Sequence, residues 1–323
     1  MIIFDSIIKR LQASGGISVY FENLLDGCEI NKVEYAVLPK SNECNRPLER
    51  YRDCLVNELG GVFHSSYYRL PSASSLKVVT TVHDFTYEKF RNGPAKWVHS
   101  WQKNRAIQNS DLIICVSQNT ANDLMKICPV DHERIRVIYN GVSDAYKPLY
   151  FETKTNDSVL FIGARVGYKN FDIAVKAVSK VDDLKLRIVG GGVLSFKEQK
   201  LLEEQLPGRF TWLGRLSDEA LNKEYNSAFA LLYPSSYEGF GIPIVEAMKA
   251  GCPVIAVNVS SIPEVAGDAA VLVDHPKVDT LRIALIEVLN HRNQLKIAGY
   301  KQAKMFSWDR CFQETLSVYN ELM

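Results

Sequence analysis

Two glutamates, Glu238 and Glu246, stand with seven residues between them, and the interval holds Gly239, Phe240, Gly241, Ile242 and Pro243. Glycine lets a backbone approach a ligand, proline suits the first turn of a helix, and the N–H groups left over at a helix start favour an anion. The interval has the composition of a phosphate-binding loop entering a helix. Glu246 falls within that helix, where a carboxylate accepts two hydrogen bonds from a vicinal diol such as ribose. Glu238 lies ahead of the glycines. As lone acids both would read as solvated carboxylates near a helix N-terminus; the glycine loop and the apolar run before it favour a ligand site.

Cations come from a second loop, in which Gly163 is followed by Arg165 and Lys169. A charge-assisted hydrogen bond contributes about 1.5–3 kcal/mol and an exposed helix dipole about 0.3–1 kcal/mol, so these side chains outweigh a helix start in holding a diphosphate. For Arg165 a plain surface role stays open. Gly15 and Gly16 repeat the glycine-to-helix arrangement ahead of 18–25, where an ordinary turn is the other reading. His83 and Asp84 close the apolar run 77–82, and His64 follows a similar run at 61–63. A histidine at either strand end serves a ligand or is a hydrogen-bonded structural residue; Asp84 suits either orientation of the ring or a turn. The stretch 89–105 carries Lys89, Arg91, Lys96, Lys103 and Arg105 without an acid, and Trp97 and Trp101 at helical spacing. It reads as a membrane-facing patch, or as a helix with its tryptophans packed inward and its cations in water, and the second reading is preferred.

Strands and helices must hold these residues. Candidate strands at 32–38, 61–64, 77–82, 112–116 and 134–138 alternate with helices, of which 100–109 and 118–127 are clearest, the latter capped by Ser117. Turn residues interrupt the pattern at 139–157, which reads as a linker. Beyond it strands at 158–162, 184–189, 210–213, 229–233, 253–256 and 270–273 alternate with helices at 171–180, 196–204, 218–227 and 243–250. This rhythm implies parallel sheets covered on both faces. The expected fold is α/β, two Rossmann-like doubly wound domains at 1–148 and 149–305. Such sheets bind ligands beyond the carboxyl ends of their strands, so the domains are expected to face a cleft and to close by a hinge at 140–146.

Composition narrows the partners. The 323 residues hold 38 Lys and Arg against 37 acids, so no overall field draws nucleic acid. Seven cysteines without C-x-x-C or zinc-like spacing predict reduced thiols and a cytoplasmic setting. Asp5 and then Lys9-Arg10 break the apolar start, so no signal peptide is expected, and no apolar run reaches the roughly 18 residues of a membrane span. D-x-D is absent, and an obligatory metal is not expected.

Glu238 and Glu246, continued through 247–256 and Ser260-Ser261-Ile262-Pro263-Glu264-Val265, resemble the retaining glycosyltransferase family 4. The resemblance extends through Gly15-Gly16-Ile17, Thr81-Val82-His83-Asp84, Cys115-Val116-Ser117, Tyr139-Asn140-Gly141-Val142, 163–170 and Phe306-Ser307-Trp308. It implies a glycosyltransferase B-type fold with the donor nucleotide held mainly by the second domain, and a final helix, 306–323, that crosses back to the first. It implies transfer of a hexose from a GDP- or UDP-sugar co-substrate to a glycan or lipid-linked glycan, with retention by front-face displacement and no further cofactor. Surface polysaccharide or lipopolysaccharide biosynthesis is the implied setting. By the same resemblance Lys169 grips the diphosphate, while Arg165 stands one place beyond the family's usual arginine, where this chain has Ala164. Gly16, Gly239, Phe240, Gly241 and Ile242 approach the phosphates, Glu246 the ribose, Glu238 and His83 the donor sugar, and Leu213, with Trp212 and Gly214, the base. Lipid-linked acceptors keep a peripheral contact with the inner face of a membrane open. A sugar-nucleotide epimerase of the same architecture and a non-catalytic nucleotide-sugar-binding module remain as alternatives.

Overall fold

A computed structural model describes residues 1–12, 15–38, 47–57, 60–149 and 157–323. The chain divides into two compact units, Met1–Gly141 with Ser307–Met323, and Val142–Phe306. The first holds a six-stranded sheet of β1 (Ile2–Asp5), β2 (Tyr35–Leu38), β3 (Val62–Ser65), β4 (Lys77–Val82), β5 (Leu112–Cys115) and β6 (Ile135–Val137). Its order is β2-β1-β3-β4-β5-β6 and every pairing is parallel. The second holds β7 (Ser158–Ile162), β8 (Lys185–Val189), β9 (Phe210–Gly214), β10 (Ala230–Tyr233), β11 (Val254–Val257) and β12 (Ala270–Val273), ordered β12-β11-β10-β7-β8-β9 and again all parallel. That second order is the Rossmann arrangement, in which the chain turns back at one point in the sheet. The turning points are β1/β3 in the first unit and β7/β10 in the second.

Parallel strands covered by helices on both faces bury every side chain, and β3, β5, β7, β10 and β11 are buried at each position. In the second unit the strands pack with the helix Phe171–Ser179 and with Leu281, Ala284, Leu285 and Val288 of the helix Val278–Ala303. The C-terminal helix, Trp308–Asn320, packs in the first unit, where Cys311, Phe312, Val318 and Tyr319 join Phe4, Tyr20 and Phe21. Ser117 caps Gln118–Ile127 by accepting from the N–H of Thr120 at 3.0 Å.

Four features depart from the pattern read in the sequence. β1 and the helix Val278–Ala303 were not anticipated: β1 has only four residues, and solvent-exposed Ile283, Ile286, Leu289 and Ile297 blur the apolar stripe of the helix. The helix expected at 100–109 starts at Pro94, behind a glycine. The division between the units falls at 141/142 rather than 148/149. Tyr146 donates to Asp218 at 3.1 Å, and the N–H groups of Lys147 and Leu149 donate to Asn222 and Asn226 at 3.0 and 2.8 Å. The Lys249 ammonium holds the carbonyls of Val142 and Ser143 and the carboxylate of Asp144, at 3.2, 3.1 and 2.6 Å. The start of the expected linker is thereby built into the second unit, and 150–156 lie outside the described residues.

Cys28, Cys54, Cys115, Cys128, Cys252 and Cys311 are buried and form no disulfide with one another; Cys44 lies outside the described residues. Among the described residues no helix is long and apolar enough to cross a membrane.

Candidate active site

Open α/β sheets offer a ligand site where the chain turns back, between the loops that leave the two diverging strands. In the second unit those loops follow β7 and β10, and they carry Lys169 and Glu238. Their side chains form an ion pair, each about one-eighth exposed. The Lys169 ammonium also donates to the Tyr233 hydroxyl at 3.3 Å and sits 5.1 Å from the Tyr233 ring and 5.4 Å from that of Tyr168. Burial, with Glu238 beside it, holds the Tyr233 hydroxyl protonated well beyond its ordinary range.

The loops are bound to each other by polar side chains. Asn170 takes a left-handed backbone, φ +53°, which asparagine tolerates better than most residues, and donates to Pro234 O at 2.8 Å and Ser236 Oγ at 2.7 Å. Ser236 N–H donates to Tyr168 O at 2.8 Å. Ser260 Oγ accepts from the N–H of Glu238 at 2.9 Å, while Ser261 Oγ lies 3.0 and 2.9 Å from the carbonyls of Glu238 and Phe240. A cation and a carboxylate held side by side in this way suit a ligand with both acceptor oxygens and hydroxyl donors, as a sugar diphosphate has.

Gly239 and Phe240 are buried in the loop, and Gly241, at φ +103°, turns the chain into the helix Ile242–Ala250 with Pro243 in its first turn. Glu246, within that helix, is partly buried and accepts from the Tyr225 hydroxyl at 2.9 Å. Burial lifts its carboxyl to about 7, Asp218 adds to the rise, and hydrogen bonds from Tyr225 and Tyr146 oppose it. Leu213 is half-buried on the edge strand β9, next to the more exposed Trp212. Arg165, expected at the diphosphate, is turned toward protein groups. Its side chain is only 3% exposed and pairs with Glu198 at 2.9 Å, while its N–H groups donate to the carbonyls of Gly190, Gly192 and Val193 at 2.8, 3.0 and 3.0 Å. The structure thus brings Lys169 to Glu238 but directs Arg165 to the loop after β8.

In the first unit His83 follows β4, its ring 5.1 Å from that of Tyr20. Its Nε2 is buried without a hydrogen-bond partner among the described residues. Burial pushes its pKa down to about 4, Asp84 opposing and Lys103 adding to the fall, so the ring is neutral near pH 7. Asp84 forms a turn: its carboxylate accepts from the N–H of Thr86 at 2.8 Å and its carbonyl from the Lys103 ammonium. Gly16 is the first residue of the helix Gly16–Ile30, behind Gly15. His64 is a core residue, fully buried, 2.6 Å from the Tyr319 hydroxyl and 2.8 Å from that of Thr81. The tryptophans do not pack inward: Trp97 is 77% and Trp101 62% exposed. Nor do the cations all face water, since Lys103 is buried beside Glu88, Lys89 pairs with Asp123 and Arg105 with Asp53. These partners lie outside 94–108 in sequence, where the helical pattern could not reveal them.

Tyr233 beside Lys169 and Tyr225 beside Glu246 had no role in the sequence pattern, and Ser260 and Ser261 stood there only as part of the family resemblance. Their types are common in strands and turns, and only Asn170, next to Lys169, carried a local signal of an unusual backbone.

Residues 144–305 match the family model for glycosyl transferases group 1, and 61–146 that for Glycosyltransferase Family 4. The chain belongs to the group 1 glycosyl transferases. This glycosyltransferase is 29% identical over 286 residues to O-antigen chain mannosyltransferase B of Escherichia coli, spanning 81% of the chain and 74% of that enzyme. It is 32% identical over 222 residues to the uncharacterized glycosyltransferase MJ1178 of Methanocaldococcus jannaschii, spanning 67% of the chain and 61% of that relative. Its fold is similar to that of Anabaena Alr3699/HepE, solved in complex with UDP-glucose, with a TM-score of 0.74, 16% identity and 99% of each chain covered. The class is therefore that of a transferase rather than an epimerase, on two Rossmann-like units of the glycosyltransferase B type.

Proposed function

We propose that this glycosyltransferase moves a hexose from a nucleoside diphosphate sugar to a hydroxyl of a glycan or lipid-linked glycan, with retention of anomeric configuration. The observation that carries the reading is the Lys169–Glu238 pair at the turning point of the second sheet. A diphosphate accepts from Lys169 as negative charge grows on the leaving group, and Glu238 accepts from the sugar hydroxyls. Preorganised donors of this kind contribute about 10²–10³ in rate each. The N–H groups at the start of Ile242–Ala250, behind Gly239 and Gly241, take further phosphate charge, and Glu246 takes the ribose. Leu213 serves the base; on the first unit Gly16 is assigned to the phosphates and His83 to the donor sugar. Because Lys169 supplies the charge, turnover is expected to survive a chelator.

The relative in Escherichia coli is named an O-antigen mannosyltransferase, and the Anabaena protein was solved with UDP-glucose. The first supports surface polysaccharide or lipopolysaccharide biosynthesis as the setting, and the two names make GDP-mannose and UDP-glucose the first donors to try. Exposed Trp97 and Trp101 support, as a second part of the reading, a peripheral contact between the helix Pro94–Gln108 and a membrane.

Incubation of each donor with and without a lipid-linked glycan, followed by proton NMR of the product, tests the reading. A new glycosidic bond of the donor's own anomeric configuration, formed only with acceptor, is the expected result. A new nucleotide sugar formed from donor alone, or an inverted linkage, would refute it.

A further inference from the structure

Arg165 is a cation that the sequence placed at the diphosphate and whose charge the proposed transfer leaves unused. It lies in the same loop as Lys169, yet its hydrogen bonds run to the segment after β8 and to the helix beyond it. Gly190, Gly191 and Gly192 there have φ of +79°, +72° and +75°. Three carbonyls of that segment accept from the guanidinium, and its Nε meets Glu198 Oε1 at 2.9 Å. Glu198 is itself fixed, because its other oxygen accepts from Ser195 N–H and hydroxyl at 2.7 and 2.8 Å, closing the capping box of the helix Phe196–Gln205. The chain of contacts therefore runs from the Lys169 loop through a buried fork of donors into a capped helix end. Gly191 completes the fit: a Cβ there would stand 2.4 Å from Arg165 Nη1 and 2.7 Å from the carbonyl of Gly163.

We infer that Arg165 is a positioning residue, a clamp that fastens the Lys169 loop to the glycine segment 190–193, and that it does not touch the donor diphosphate. The inference rests on the donor reading of Lys169 above. It separates two cations of one loop: Lys169 is a charge offered to the ligand, Arg165 a planar fork used up within the protein. A planar fork cannot be replaced by a lysine, which offers a single point charge.

The test is a cycle of Arg165→Gln, Glu198→Gln and the double variant, with Arg165→Lys and Gly191→Ala beside them. Donor kcat/KM is measured for each, and amide exchange over 163–170 is followed in the folded protein without donor. A clamp predicts a loss of about tenfold in either single variant and no further loss in the double, because both remove one unit. Arg165→Lys is as impaired as Arg165→Gln, Gly191→Ala repeats the loss with the arginine intact, and exchange over 163–170 quickens in all of them. Rescue by Arg165→Lys, an unimpaired Glu198→Gln, or unchanged exchange would overturn the clamp. Lys169→Ala in the same assay reports on the donor reading alone: if it stays fully active that reading fails, while exchange over 163–170 still decides the clamp.

Discussion

Glu238 and Glu246 are chemically alike and differ in their surroundings. Glu238 sits against an ammonium; Glu246 sits among tyrosine hydroxyls, where burial raises its carboxyl from 4.5 to about 7. An acid that holds its proton more tightly when folded favours the folded state while protonated, so this contribution is full below 4.5 and is lost as pH rises through about 7. The stability of the parent relative to Glu246→Gln is expected to decline across that window in denaturant titrations, and a flat difference would contradict the shift. On the proposed ribose role of Glu246, nucleotide binding is expected to have the opposite slope, because two ribose hydroxyls would donate to the ionised carboxylate. Calorimetry is expected to find affinity rising from about pH 6 to about pH 8 in the parent and level in Glu246→Gln. At this scale the sequence was informative wherever residue type and spacing were unusual, as at Lys169, Glu238 and Glu246. It was silent on Tyr225 and Tyr233, which look like any aromatic of a buried strand or helix, and although Arg165 stood one place off the family's arginine its partners were not legible, because a carbonyl partner leaves no mark in sequence.

Elements decide where those residues stand. The Rossmann order of the second sheet puts the loops after β7 and β10 side by side; the alternation of apolar runs with helices made a parallel, doubly wound sheet the expectation without its strand order. What the alternation could not supply is how the loop is held. Ser261, fully buried, reaches two carbonyls of the glycine loop. Ser261→Ala leaves them without that donor, and a loss of about 1–2 kcal/mol in unfolding free energy with a raised donor KM is expected; an unchanged KM would show that the loop holds without it. In the first unit Arg69, four residues past β3, is buried between Asp5 of β1 at 3.4 Å and Glu49 at 2.9 Å. Neither β1 nor those ion pairs were foreseen, since a four-residue strand and pairs made across long stretches of chain carry no local periodicity.

At the scale of the whole molecule, length and strand rhythm were enough to predict two α/β units, and the side chains that bind 142–149 to the second unit shifted the boundary. The least legible part is the outer face of the first unit. Helical spacing places Trp97 and Trp101 together but does not say which way they point, and they point into solvent. Vesicles containing anionic lipid are expected to co-sediment the protein, and Trp97→Ser with Trp101→Ser to weaken this about tenfold or more while transfer to a water-soluble acceptor continues. Equal sedimentation of parent and variant would remove the membrane from the account.

The central claim is that Lys169 turns a bound nucleotide sugar into a donor. It is tested most directly by single-turnover transfer of labelled sugar at saturating donor, in the parent and in Lys169→Ala, with circular dichroism confirming that both are folded. The account predicts a fall of about 10²–10³ in the rate of transfer for Lys169→Ala. Transfer at the parent's rate by a folded Lys169→Ala would contradict it.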